Sequence, residues 1–300
     1  MGIIKLGGKP TVPVEAAPKA KKEKEEESSA GKYELPEGPQ KPITDLSAAA
    51  ILIYGENKIG KTSLAACFDD PIFIMFEPGG KGLEITRVQC ETWKDFTGWV
   101  TSIIKSDRFK TVVIDPIALC YRACVEQICK DEAVDDPMEV GWGRGWKKVE
   151  DEFCKQIRRI SSTERGVVFL GHIESVEFER RTGGVYHRLS PRMMKQARTF
   201  ITGWVDIIAF YGYYGDDRYL TIEGSDELDA GTRLKLNFKT TSGERVHSIP
   251  MFDPENPTFS EEDAYRNLVA AFRNEQEERG VPESVAALTD TKPPRKEKRR

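Results

Sequence analysis

Apolar runs and helical stripes alternate through the middle of the chain, between two polar ends. Short runs rich in β-branched residues at 50–54, 72–76, 111–115 and 167–171 read as buried strands. Between the second and third, Trp93, Phe96, Val100, Ile103 and Ile104 recur at helical spacing; before the fourth, Trp146, Val149, Phe153, Ile157 and Ile160 do the same. Strand and helix in alternation predict an α/β fold, a mostly parallel sheet flanked by helices. After a helical segment through Phe200 and Trp204 the runs crowd together, near 206–212, 218–223, 233–239 and 247–252. That spacing predicts antiparallel strands added to the same sheet toward the C-terminus. A last helix opens at Ser260, with Asp263 three residues on in a capping-box pattern. It carries Tyr265, Leu268, Val269 and Phe272 on one face and is expected to end near Gly280, with Pro282 beyond.

The first of these runs feeds straight into chemistry. Residues 50–62 read Ala-Ile-Leu-Ile-Tyr-Gly-Glu-Asn-Lys-Ile-Gly-Lys-Thr, a strand entering a complete G-x-x-x-x-G-K-S/T phosphate loop, the Walker A motif. Gly55 and Gly60 let the backbone turn tightly, so that amides from Gly55, Glu56, Asn57, Lys58, Ile59, Gly60, Lys61, Thr62 and Ser63 can face phosphate oxygens. Lys61 suits the β- and γ-phosphates, and Thr62 suits Mg²⁺. The third run, Thr111-Val112-Val113-Ile114-Asp115, ends in a carboxylate, the form of a Walker B strand, and makes Asp115 the second metal-side residue. Pro116 and Ile117 follow, leaving no glutamate beside Asp115, so the base that polarises the attacking water must come from elsewhere. Glu77 fits that role, at the end of the second run and before Pro78-Gly79-Gly80. The fourth run delivers His172 to the same edge, where a polar group can sense the γ-phosphate. ATP with Mg²⁺ is the implied ligand. A guanine nucleotide is disfavoured, because no Asn-Lys-x-Asp motif follows the third strand and Asn57-Lys58 lies inside the phosphate loop.

Composition sets the boundaries. Residues 1–43 are rich in Lys, Glu, Pro, Gly and Ala, with an unbroken charge run from Lys21 to Glu27, and read as a disordered leader. Residues 283–300 read as a flexible basic tail, which leaves 44–282 for one ATPase domain. The 300 residues are 39% hydrophobic, and no run approaches the length of a membrane span or a signal peptide, so a cytoplasmic protein without membrane attachment is expected. Six cysteines include no C-x-x-C pair; Cys120 and Cys124 share a helical face with Tyr121, Val125 and Ile128, which predicts core thiols.

Taken together, the loop from Gly55 to Thr62, Glu77 at a strand end, Asp115 without an adjacent glutamate and His172 resemble the RecA-like branch of P-loop ATPases. More narrowly, the chain is similar to phage-encoded RecA-like ATPases of single-strand annealing and recombination. Gly141-Trp142-Gly143-Arg144-Gly145-Trp146, Trp204-Val205-Asp206, Arg218 and Ala230-Gly231-Thr232-Arg233 add weaker matches, and the likeness spans 46–252. The resemblance implies a homo-oligomer, ring or filament, in which a basic residue of one subunit completes its neighbour's site. Arg233 is the first candidate for that finger, with Lys239 and Arg245 behind it. It also implies single-stranded DNA along the loops after the third and fourth strands, with phage or host replication and recombination proteins as further partners. At the first loop stand Trp142, Arg144 and Trp146; at the second stand Arg180, Arg181, Tyr186, Arg188 and Arg192, a mix of cations and a stackable ring. The net charge of −4, with about +1 in the leader and +5 in the last nine residues, leaves roughly −10 on the middle of the chain. DNA binding is therefore expected only at local basic loops. A hexameric helicase or helicase loader, and a nucleotide-gated interaction module with negligible turnover, use the same ATP site and remain alternatives.

Overall fold

The computed structural model describes residues 38–39, 41–179, 183–253, 256 and 258–277. The chain divides into two units, Met1–Pro42 and Ile43–Arg300, and the sheet belongs to the second. Most of the expected leader and all of the basic tail lie outside the described residues.

The elements run in the order β1 (Ala50–Gly55), α1 (Lys61–Ala66), β2 (Pro71–Met75), β3 (Thr86–Gln89), α2 (Trp93–Ile104), β4 (Thr111–Asp115), α3 (Ile117–Glu132) and α4 (Arg144–Ser161). Then follow β5 (Gly166–Glu179), β6 (Val185–Pro191), α5 (Lys195–Trp204), β7 (Ile207–Tyr214), β8 (Asp217–Thr221), β9 (Gly231–Thr232), β10 (Ser248–Pro250) and α6 (Glu261–Phe272).

Period-two alternation decides the layers, because successive side chains of a strand point to opposite faces. Leu52, Ile72, Ile74, Val112, Ile114, Val167 and Phe169 pack on one face against residues of α2, α3, α4 and α5. Ile51, Ile53, Phe73, Met75, Val113, Val168 and Leu170 pack on the other against α1 and α6. With both faces covered, each strand reads as a continuous apolar run rather than as an alternating one. Phe153 of α4 is fully buried and sits among Tyr121, Phe200 and Trp93, with ring centroids 5.0, 5.8 and 5.9 Å away. The capping box at Ser260 forms as expected: the Asp263 carboxylate accepts from the Ser260 amide at 2.9 Å.

Among the described residues the strand order is β10-β8-β7-β1-β5-β4-β2-β3, with β6 paired to β5 and β9 to β7. The strands from β7 through β3 run parallel, and β6, β8, β9 and β10 pair antiparallel. The mostly parallel α/β sheet with antiparallel strands toward the C-terminus is thus the fold of this chain.

Three local expectations are corrected, and one strand was not anticipated. The run at 206–212 is an internal strand parallel to β1, because the preceding α5 serves as the crossover that parallel pairing requires. The run at 233–239 forms no strand: Gly231–Thr232 just before it pair with β7, Lys239 makes a single bridge to Arg245, and Phe238 turns left-handed (φ 60°). The final helix stops at Phe272, where Asn274 takes the left-handed conformation (φ 63°) that commonly ends helices, short of Gly280. β3, an edge strand of mostly exposed residues, had no apolar pattern to announce it.

Candidate functional site

The chemistry collects where the parallel strands end. Gly55 closes β1 in register with His172 of β5 on one side and Tyr211 of β7 on the other. A Cβ at Gly55 would lie 1.9 Å from the Tyr211 carbonyl oxygen, so the neighbouring strand demands this glycine independently of any phosphate. The loop then turns left-handed at Lys58 (φ 66°) and at Gly60 (φ 112°), which caps α1. Lys61 is only 8% exposed, and its Nζ donates to the carbonyl oxygens of Gly55 at 3.1 Å and Glu56 at 2.6 Å. Burial lowers its pKa from the ordinary lysine value, opposed by the charges of Asp115, Glu56 and Glu77.

Asp115 ends β4, one strand removed from β1 because β5 lies between them. Thr62 Oγ1 donates to Asp115 Oδ2 at 2.9 Å. Burial raises the Asp115 carboxyl above its usual range, while the Thr62 hydrogen bond and Lys61 pull it down and Glu77 adds to the rise. A half-buried carboxylate beside a hydroxyl is a set of hard oxygen donors, and a divalent cation would offset the cost of that burial; the residues fit Mg²⁺. β2 pairs with β4 so that Met75 faces Asp115, which carries Glu77 past the strand end to the same edge. There Glu77 Oε2 lies 3.8 Å from His172 Nε2. The structure therefore brings Lys61, Thr62, Asp115, Glu77 and His172 together. It also shows His172 inside a longer strand than expected: β5 continues to Glu179 and folds back with β6 as a hairpin.

Two cavities adjoin this edge. One of about 360 Å³ is lined by Glu77, His172, Arg122 and Arg192, among others. Another of about 790 Å³ opens along α1, between Leu83 and Ile85 on one side and Tyr265 of α6 on the other. Sequence reading missed the contribution of α6. Arg218 of β8 and Glu261, 43 residues apart, meet at 2.7 Å beside Gly60. Glu261 gave no signal beyond its place in a helix cap.

Arg233 sits elsewhere. Its backbone amide bonds Asp206 at the start of β7, the end of the sheet away from Gly55, and its guanidinium donates to the carbonyls of Gly203 and Trp204 at the close of α5. Arg245 pairs with Glu223 at 3.0 Å, and the Lys239 amide donates to Asn274 Oδ1 at 2.8 Å.

The first DNA candidates divide: Trp142 is 99% exposed, Arg144 opens α4 on the surface, and Trp146 is half-buried against the core. On the hairpin, Tyr186 stacks on Phe178 at 5.6 Å, and the Arg188 guanidinium lies over both rings. Arg192 follows the hairpin, and its amide donates to the His172 carbonyl at 2.8 Å, tying the hairpin's exit to the residue beside Glu77. Arg180 and Arg181 lie outside the described residues. Of the six free cysteines, Cys90, Cys120, Cys124, Cys129 and Cys154 are buried, and Cys67 is half-buried. No helix among the described residues is long and apolar enough to cross a membrane.

A family profile described as an AAA domain matches residues 47–234. The SPbeta prophage-derived uncharacterized protein YorG of Bacillus subtilis (strain 168) is 21% identical over 243 residues, covering 79% of this chain and 70% of that protein. Among solved structures, the KaiC-like protein PH0186 from the hyperthermophilic archaeon Pyrococcus horikoshii OT3 aligns over 68% of this chain and 85% of its own. That alignment has 13% identity and a TM-score of 0.40.

Proposed function

This chain belongs to the AAA-domain family, and from that premise, with its phosphate loop, we propose that it hydrolyses ATP and couples turnover to single-stranded DNA, as a homo-oligomer in phage recombination or annealing. The observation that carries the ATPase reading is the gathering of five side chains at one sheet edge, with Thr62 on Asp115 at 2.9 Å and Glu77 beside His172 at 3.8 Å. Lys61, already folded into the loop, exchanges its carbonyl partners for β- and γ-phosphate oxygens. Thr62 and Asp115 would hold Mg²⁺, which when bound would supply positive charge to the phosphate oxygens. Glu77 accepts the proton of the attacking water. His172 senses the state of that site. The cavity between Leu83, Ile85 and Tyr265 has apolar walls for a base, with Glu84 and Glu262 as acceptors for an exocyclic amine.

The DNA half of the reading is supported by the hairpin. Phe178, Tyr186 and Arg188 offer stacking faces and a cation, and the bond from Arg192 to His172 joins that surface to the hydrolysis site. The prophage origin of the Bacillus relative supports the phage setting.

The test is steady-state phosphate release with and without single-stranded DNA, at low and moderate salt, beside Lys61→Ala. Salt-sensitive stimulation in the wild type that is absent from the variant is the expected result. Turnover indifferent to DNA sinks the DNA half, and turnover undiminished in Lys61→Ala sinks the assignment of the site.

A further inference from the structure

Glycine at position 60 permits the left-handed turn of the phosphate loop (φ 112°), but the same freedom leaves the peptide between Ile59 and Gly60 without an intrinsic restraint on its orientation. Something outside the loop has to hold it. Arg218 Nη1 donates to the Ile59 carbonyl oxygen at 3.3 Å and to Glu261 Oε1 at 2.7 Å. In a trans peptide the carbonyl and the following N–H point in opposite directions. With the Ile59 carbonyl turned toward the guanidinium, the Gly60 amide is turned away from it.

We propose that Arg218, braced by Glu261, is a positioning residue that fixes the Ile59–Gly60 peptide so that the Gly60 amide faces the phosphates. This rests on the reading of residues 55–62 as a nucleotide loop and adds to it two residues that no phosphate-loop pattern contains.

The packing around the clamp leaves little room for another arrangement. A Cβ at Gly60 would lie 3.1 Å from Arg218 Nη1, 3.2 Å from Glu261 Oε1 and 3.6 Å from the Tyr211 hydroxyl. The Tyr211 ring is fully buried beneath the loop. Glu261 is itself anchored as the first residue of α6, which Ser260 caps and which packs on the P-loop side through Tyr265 against Phe68, with centroids 4.9 Å apart. The side chains of Arg218 and Glu261 are 25% and 28% exposed, so solvent screens the pair only in part. Helix α6, whose Glu261 and Tyr265 also line the cavity along α1, thereby reaches the phosphate loop as well.

The experiment compares the full-length wild type with Arg218→Met and Glu261→Gln. Calorimetric titration with ATP and with inorganic tripolyphosphate is read beside kcat at saturating ATP and the melting temperature. Tripolyphosphate is the informative probe, since it engages the loop and has no base. Loss of a charged hydrogen bond that organises one phosphate-facing amide predicts that Kd rises about tenfold for both ligands in Arg218→Met. Glu261→Gln keeps an acceptor oxygen and should recover most of the affinity, and any fall in kcat should likewise be larger in Arg218→Met than in Glu261→Gln. Wild-type affinity in Arg218→Met, whatever its melting temperature, overturns the clamp. So does weakening seen with ATP and not with tripolyphosphate, because that places the effect at the base. A wild type that binds neither ligand overturns the nucleotide reading itself, and the clamp with it.

Discussion

Replacing Glu77 by glutamine separates two roles that the same geometry allows. In one, Glu77 is the base for the attacking water; in the other, it is only the ion-pair partner of His172 at 3.8 Å. The ion-pair role predicts little. The Glu77 side chain is 49% exposed and that of His172 31%, and a pair so open to solvent contributes about 0–1 kcal/mol. Glutamine is isosteric and no buried contact is lost, so the melting temperature should stay within a degree or two of wild type, about what a change below 0.5 kcal/mol produces. The base role predicts much more. Removing a positioned general base costs about 10²–10⁴ in rate, equivalent to about 3–5 kcal/mol of transition-state stabilisation. The assay is phosphate release at saturating ATP, with ATP affinity titrated separately and the melting curve recorded on the same preparation. The expected pattern is retained binding, an unchanged melting temperature and kcat down by at least about a hundredfold. A kcat within about threefold of wild type would show that no proton passes through Glu77 and would remove it from the mechanism.

Two further outcomes probe the scaffold. Phe153→Ala empties a position enclosed by Trp93, Tyr121 and Phe200 and should destabilise the protein by about 3–5 kcal/mol, read as a lowered denaturant midpoint at unchanged slope; a loss below about 1 kcal/mol would mean that the aromatic cluster is not a packed core. Burial first, and the nearby Asp95 second, push the Cys90 thiol up to about 12, while burial and the Glu262 and Glu261 charges push Cys67 up to about 11. A raised thiol pKa leaves little thiolate at pH 8, so native Cys90 should alkylate on the order of 10³-fold more slowly than a free cysteine, accelerating as pH rises and on unfolding. Rapid labelling of Cys90 in the folded protein, located by peptide mass, would contradict its placement.

Local pattern carried much of this protein's description. The phosphate loop is contiguous, so Gly60, Lys61 and Thr62 could be picked out as candidates without knowing where any other strand lies. Asp115 was legible for the same reason, as the polar end of an apolar run. The faces of α2 and α4 followed from helical spacing, since Trp93, Phe96, Phe153 and Ile157 must share whichever side is buried. The cap of α6 was visible because Ser260 and Asp263 act within one turn.

What the sequence did not determine depends on partners distant along the chain. The direction of a strand is set by its neighbours and not by its own residues, so the run at 206–212 looked like a hairpin arm until β1 was found parallel beside it. The insertion of β5 between β1 and β4 is likewise a matter of topology, and it alone puts His172 opposite Gly55 and within reach of Glu77. An isolated histidine or glutamate has no periodicity to announce such a meeting. The same holds for Arg218 and Glu261, whose hydrogen bond closes over 43 residues beside the loop. Local sequence determined which side chains could do chemistry on a phosphate, because turn geometry, capping and helical spacing act over a few residues. Tertiary structure decided which of them share a site, because strand order and helix docking are settled by burying both faces of one sheet at once.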